Sequence, residues 1–197
     1  MVIYQDLDGC LADFCTGFSK KVFEYASNPR LCASSTTLRE SMPKFIRKYG
    51  RTYRSLTEGE VSDPICRPLI YKIAAEPLFF YNLPRLRNGL WEVVNNFPVE
   101  KKILSAPIGD FAVEDKTRWV REVLGDLDIE VIVVPRAEKI NHAHKGAVLI
   151  DDYDKTITEW KSAGFNAFQW ASGKEEELLE YLRSIAETKG SFTPEIL

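Results

Sequence analysis

The sequence predicts an α/β fold built on a mostly parallel sheet with helices on both faces. Apolar runs of strand length alternate along the chain with amphipathic stretches of helical length, the pattern of strands joined by helices. One run, Glu130-Val131-Ile132-Val133-Val134, is continuously apolar after its first residue, as a strand covered on both faces requires. Several runs end in acids, a hydroxyl or a lysine, and open α/β sheets bind ligands at the carboxyl ends of their strands.

Taken in order, Val2 to Tyr4 is the first strand, and it stops at Asp6-Leu7-Asp8-Gly9, where the glycine predicts a turn. Phe14, Phe18, Val22 and Tyr25 recur at helical spacing, so Phe14 to Ser27 is a helix, ended by Asn28-Pro29. Residues 30–84 hold no strand run. They are rich in Arg, Ser, Thr and Tyr, with short helices near Leu38–Tyr49 and Arg67–Ala75, the composition of a helical insertion. The β/α pattern resumes with a helix over Leu86–Phe97 and a strand over Lys102–Ser105, followed by Ala106-Pro107. A helix over Ala112–Leu124 closes at Gly125. After the Glu130–Val134 strand comes Ala147–Ile150, which ends in Asp151-Asp152. A helix over Lys155–Ala163 stops at Gly164, and Asn166–Trp170 is the last strand. Lys174–Thr188 is an amphipathic helix with Leu178, Leu179, Leu182 and Ile185 inward, and Lys189 to Leu197 reads as a loose or late-docking tail. The expected division is a core of residues 1–14 and 85–197 and a second domain of residues 15–84.

A chain of 197 residues is long enough for one sizeable core with an insertion. A net charge of −3 speaks against a nucleic-acid track, which needs a basic stripe. Cys10, Cys15, Cys32 and Cys66 form no C-x-x-C pair and read as reduced thiols. The early acids are unlike a signal peptide, and no stretch approaches the roughly 20 apolar residues of a membrane span. The expectation is a cytoplasmic protein with no membrane partner, its oligomeric state, a homodimer included, left open.

Four strand ends carry the chemistry. The first offers Asp6 and Asp8, the second Ser105, the region after the third Lys139, and the fourth Asp151 and Asp152. In a parallel sheet these meet on one edge. Crowded carboxylates repel, and oxygen ligands favour a hard divalent cation such as Mg²⁺. A cation, an attacking carboxylate, a hydroxyl and a lysine suit phosphoryl transfer, where positioning and charge neutralisation dominate. Lys145 competes with Lys139 but precedes the fourth strand, at the wrong end of the sheet. Lys116 is a second phosphate candidate; sharing a helical face with Val120 and Val123, it is alternatively a snorkelling lysine.

These motifs resemble the haloacid dehalogenase (HAD) superfamily phosphatases. The resemblance is carried by Asp6-Leu7-Asp8-Gly9, the Ser105 strand end, Lys139 and Leu149-Ile150-Asp151-Asp152. Asp6 to Phe14, Phe79-Phe80-Tyr81-Asn82-Leu83 and Lys116 to Val120 are similar to the 5′(3′)-deoxyribonucleotidases within it. The resemblance implies a three-layer Rossmann-like core with a helical cap inserted after the first strand. It implies a Mg²⁺-dependent phosphomonoesterase acting on (deoxy)ribonucleoside monophosphates through an aspartyl-phosphate. Asp6 would be the nucleophile and Asp8 the general acid and base. Asp6, the Asp8 carbonyl and Asp152, with Asp151 nearby, would hold the metal. Ser105 and Lys139 would bind phosphoryl oxygens, and Phe14 would stack on a base. Two departures stand out: Ser105-Ala106-Pro107 replaces Thr-Ser-Pro, and Tyr153 stands where relatives often carry a basic residue.

The alternative substrates are a polynucleotide 3′-phosphate or a small sugar phosphate, and a non-enzymatic binding module is the third reading. Arg47, Arg51, Arg54, Arg67, Tyr49, Tyr53 and Tyr71 are candidate substrate readers, with solvated helix faces as the plainer role. His142 and His144 read as loop polar residues, and Trp91, Trp119, Trp160 and Trp170 as packing residues.

Overall fold

The computed structural model describes residues 1–125 and 128–188, so the tail from Lys189 lies outside the described residues. Five strands form one sheet: β1 (Val2–Gln5), β2 (Glu100–Ser105), β3 (Glu130–Val133), β4 (Ala147–Asp151) and β5 (Asn166–Gln169). Every pairing is parallel, in the order β3-β2-β1-β4-β5. The expected mostly parallel sheet is all parallel among the described residues. From the central β1 the chain steps outward through β2 and β3, then returns to β4 on the other side of β1. The strand order therefore reverses at β1, and open α/β sheets bind ligands at the carboxyl ends of the strands beside such a reversal, here β1 and β4.

The chain divides into two compact units, Met1–Leu11 with Leu86–Ala106 and Asp128–Leu197, and Ala12–Arg85 with Pro107–Leu127. The first contains the sheet. Register places Tyr4, Leu104, Leu149 and Ala167 on one face, where Ile157 and Trp160 of a helix (Asp154–Ser162) bury against them. On the opposite face Phe168 meets Tyr181 of the last helix (Glu175–Thr188), ring centroids 5.4 Å apart, and the Tyr181 hydroxyl donates to the Ala167 carbonyl. Expelling such side chains from water stabilises the sheet by roughly 1.5–3 kcal/mol each.

The helix expected over Leu86–Phe97 is shorter, Leu90–Asn95. Gly89 is the N-cap at φ 75°, left-handed backbone through which the helix cannot extend back, and the Leu86 amide donates to the Leu11 carbonyl instead.

The second unit is helical. We label its helices α1 (Phe14–Ser27), α2 (Thr36–Tyr49), α3 (Glu58–Val61), α4 (Arg67–Ala74) and α5 (Ala112–Trp119). The bounds of α1 match the sequence, because Asp13 caps the Thr16 amide at 2.9 Å and Asn28-Pro29 ends the run. Phe18, Val22, Phe23, Leu38, Phe45, Leu69 and Ile73 form its core. The short α3 has no apolar period; a Thr57–Glu60 capping box makes it. The helix expected over Ala112–Leu124 is α5 followed by a π-helical turn, Val120–Leu124, that ends at Gly125. Buried Asp115 on α5 accepts the amides of Leu78, Phe80 and Tyr81; burial raises its pKa and those bonds oppose the rise. They hold Leu78 at φ 62°, a strained value for a leucine, and so fix the Phe79–Leu83 segment.

Candidate active site

The site grows from the ends of β1 and β4, which are hydrogen-bonded neighbours. The ladder continues one step past β1, since the Asp6 amide donates to the Ile150 carbonyl at 2.9 Å. Asp6 is thereby fixed beside the end of β4, where Asp151 and Asp152 stand. One carboxylate oxygen from each of Asp6, Asp151 and Asp152 lies within 4.8 Å of the other two. The chain then turns back at once, with the Leu11 amide bonded to the Leu7 carbonyl at 2.9 Å.

Gly9 makes this turn possible for two reasons. Its φ is 76°, and a Cβ there would lie 2.1 Å from Asp152 Oδ2. Gly9→Ala is expected to lower stability by at least about 1–2 kcal/mol from backbone strain alone. By pushing Asp152 aside it is also expected to weaken divalent-cation binding; urea unfolding and a Mg²⁺ titration check the two effects.

Lys139 answers the carboxylates. It lies on a 3₁₀ segment, Arg136–His142, on the Tyr4 side of the sheet, and is 2 % exposed. Its Nζ donates to Asp151 Oδ2 at 2.8 Å and pairs with Asp6 Oδ1 at 3.0 Å. Burial opposes its charge, but the Asp6 and Asp151 carboxylates outweigh burial and hold its pKa above the ordinary lysine value. Lys145 is exposed ahead of β4, and its neighbour Gly146 accepts the Val2 amide at the amino end of the sheet.

The acids carry more charge than one lysine neutralises. Burial first, then the charge of Asp6, raises the pKa of Asp151, against the pull of Lys139. Asp152 is pushed from 3.8 up to about 8 by burial, then by Asp6 and Asp151. A carboxyl raised in the folded state favours folding while protonated, and that contribution is lost as pH rises through the folded value. Metal-free protein is therefore expected to lose stability as pH rises from about 4 to about 8. Asp152→Asn is expected to flatten that slope, as is Mg²⁺ on the wild type, in thermal melts across this range.

The other sequence candidates are placed as follows. Ser105 is wholly buried as the last residue of β2, the strand beside β1, and its carbonyl accepts the Val134 amide at 3.0 Å. Asp8 lies inside the turn that the Leu7–Leu11 bond closes, partly exposed, and its carboxylate is not one of the three in the cluster. Lys116 and Phe14 belong to the helical unit. Lys116 is wholly buried, its Nζ 4.4 Å from the centre of the Phe80 ring. It therefore does not snorkel, since that requires the ammonium in water. Phe14 stacks on Phe18 and meets Phe79 edge-on with ring centroids 5.6 Å apart. Arg54 is forked onto Glu60, Tyr49 donates to Asp63, and the four tryptophans are buried. His142 ends the 3₁₀ segment, and both histidine rings flank Tyr4. The four cysteines are free thiols.

Two features carry no sequence signal. Asn88 donates to the Cys10 carbonyl at 2.8 Å and steadies the turn, and the Cys10 thiol lies 4.0 Å from Asp152 Oδ1. Only the folded turn brings Cys10 to an acid so far along the chain.

The donor set fits a hard divalent cation: three carboxylates, oxygen only, with a single lysine beside them among the described residues. The chain matches no protein-family model and no curated protein. It is similar to solved structures. One is the L-2-haloacid dehalogenase from Xanthobacter autotrophicus, 13% identical, with a TM-score of 0.45 over 93% of this chain and 82% of that chain. Another is the magnesium-bound HAD-hydrolase YfnB from Bacillus subtilis, 14% identical, with a TM-score of 0.51 over 92% of this chain and 97% of that chain. At such identity the second likeness speaks for the fold alone. The chain has an α/β fold of the kind found in HAD hydrolases, with its crowded acids at the carboxyl edge of a parallel sheet.

Proposed function

We propose that this protein is a Mg²⁺-dependent phosphomonoesterase of the HAD type, acting on nucleoside monophosphates. One observation carries the reading: Lys139 bridges Asp6 and Asp151 inside a buried cluster that Asp152 completes. YfnB, with a similar fold, is described as bound to magnesium.

In this reading an Asp6 carboxylate oxygen attacks phosphorus and the ester P–O bond breaks. The leaving alkoxide takes a proton from Asp8, which then removes a proton from water. That water attacks phosphorus, cleaves the aspartyl-phosphate and restores Asp6. Lys139 keeps Asp6 ionised and offsets charge on the phosphoryl oxygens. Ser105 holds a phosphoryl oxygen. Asp6, Asp151, Asp152 and the Asp8 carbonyl would hold Mg²⁺, which supplies charge neutralisation for acid and phosphate together. The helical unit is assigned the reading of the leaving group, as a cap, with Phe14 as its candidate, and Lys116 is the second phosphate candidate.

A substrate panel tests the proposal: dUMP, dTMP, ribonucleotides, 3′-phosphorylated oligonucleotides and sugar phosphates, each with Mg²⁺ and with EDTA. Deoxyribonucleoside monophosphates are expected to turn over fastest, and EDTA to stop release. Faster turnover of an oligonucleotide end or a sugar phosphate overturns the substrate. No Mg²⁺-dependent release from any ester overturns the chemistry.

A further inference from the structure

The helical unit holds a cavity of about 430 Å³ that none of the catalytic candidates lines. This size falls in the roughly 300–1,000 Å³ range of small-molecule sites. It lies between the end of α1, the 3₁₀ turn Pro29–Cys32 and one face of α2. Leu38, Met42 and Ile46 form its floor, and Arg39, Arg47 and Arg51 stand around it.

The charge is one-sided, because no acid among the described residues lines the cavity. The Tyr25 hydroxyl in the wall is already given to Glu76, and Glu76 in turn faces Lys21 at 3.9 Å. Arg51 is partly engaged, donating to the Ala26 carbonyl at 2.9 Å, and Arg39 donates to the Thr36 hydroxyl at 3.2 Å. Arg47 has neither ion pair nor hydrogen bond among the described residues and is exposed. A guanidinium so placed presents a planar fork that matches a carboxylate.

The floor selects the body of the ligand. Its aliphatic side chains offer no donor or acceptor to a base edge, so a nucleobase would lose its hydrogen bonds to water there without replacing them. A hydrocarbon chain loses none and gains burial. A second copy of the chain is disfavoured, since a two-fold contact through this face would oppose arginines to arginines.

We infer that this cavity binds a medium-chain aliphatic carboxylate, its chain along the α2 floor and its carboxylate on Arg47. Arg47 and Arg51 take this role in place of the substrate-reading one the sequence offered; the site does not depend on the phosphatase reading, and its test does not use turnover. Decanoate, below its micelle concentration, is titrated into the full-length protein by calorimetry. One saturable site is expected, with Arg47→Glu weakening it at least about tenfold and Lys44→Glu, an equal charge change on α2 outside the cavity, changing it less than about twofold. Unliganded melts confirm that both variants fold. Decanol, with the same chain and no charge, is expected to bind more weakly than decanoate. The inference is overturned by any of four results: no saturable binding, equal losses in the two variants, decanol or AMP binding as tightly as decanoate, or sedimentation showing that Arg47→Glu dissociates a dimer.

Discussion

Asp6→Asn is expected to abolish phosphate release while the protein stays folded. The amide keeps the shape of the side chain but cannot attack phosphorus, so turnover should fall by about four orders of magnitude or more, as when a covalent nucleophile is removed elsewhere. Folding should survive because the substitution relieves repulsion: Asp6 is among the largest causes of the raised pKa values of Asp151 and Asp152. Its backbone bond to Ile150 is untouched. Steady-state kinetics and a metal-free melt together check this, with activity lost and the midpoint equal to or above that of the wild type. Wild-type turnover by the variant would remove Asp6 from the chemistry.

Lys139→Met is expected to damage both stability and activity. It strips the one cation that, among the described residues, pairs with the group of three acids. Removing one partner of a buried pair costs about 3–5 kcal/mol, because the charge left behind is uncompensated. Without Lys139 the pKa of Asp151, which the lysine pulls down, should rise further. The loss should therefore be greatest at alkaline pH without metal and smaller in Mg²⁺, in paired urea titrations. Turnover is expected to fall by about 10²–10³-fold, the scale for losing a preorganised charge at a reacting centre. An equal loss of stability with and without Mg²⁺ would separate the lysine from the cation site.

The sheet was legible because each strand holds a short apolar stretch with a clear stop, and α1 because Asp13 and Asn28-Pro29 mark both ends. Elements without an apolar period were not legible. The Thr57–Glu60 box makes α3 from polar residues, and Gly89 delays the helix at Leu90 by a backbone angle that periodicity does not encode. At the site, the strand ends told which residues could meet, since parallel strands bring their carboxyl ends to one edge. They did not tell how the side chains divide. The structure puts Asp151, wholly buried, on Lys139 and leaves the Asp8 carboxylate out of the cluster. That division depends on the 3₁₀ segment carrying Lys139 and on the Gly9 turn, both tertiary features.

The most direct test of the whole account is to trap the covalent species. Enzyme turning over a nucleoside monophosphate in Mg²⁺ is quenched in acid, reduced with borohydride and mapped by mass spectrometry. Reduction of the side chain is expected at Asp6 alone, dependent on both substrate and Mg²⁺. Steady phosphate release with Asp6 unmodified, or a trapped adduct at Asp8 or Ser105, would contradict it.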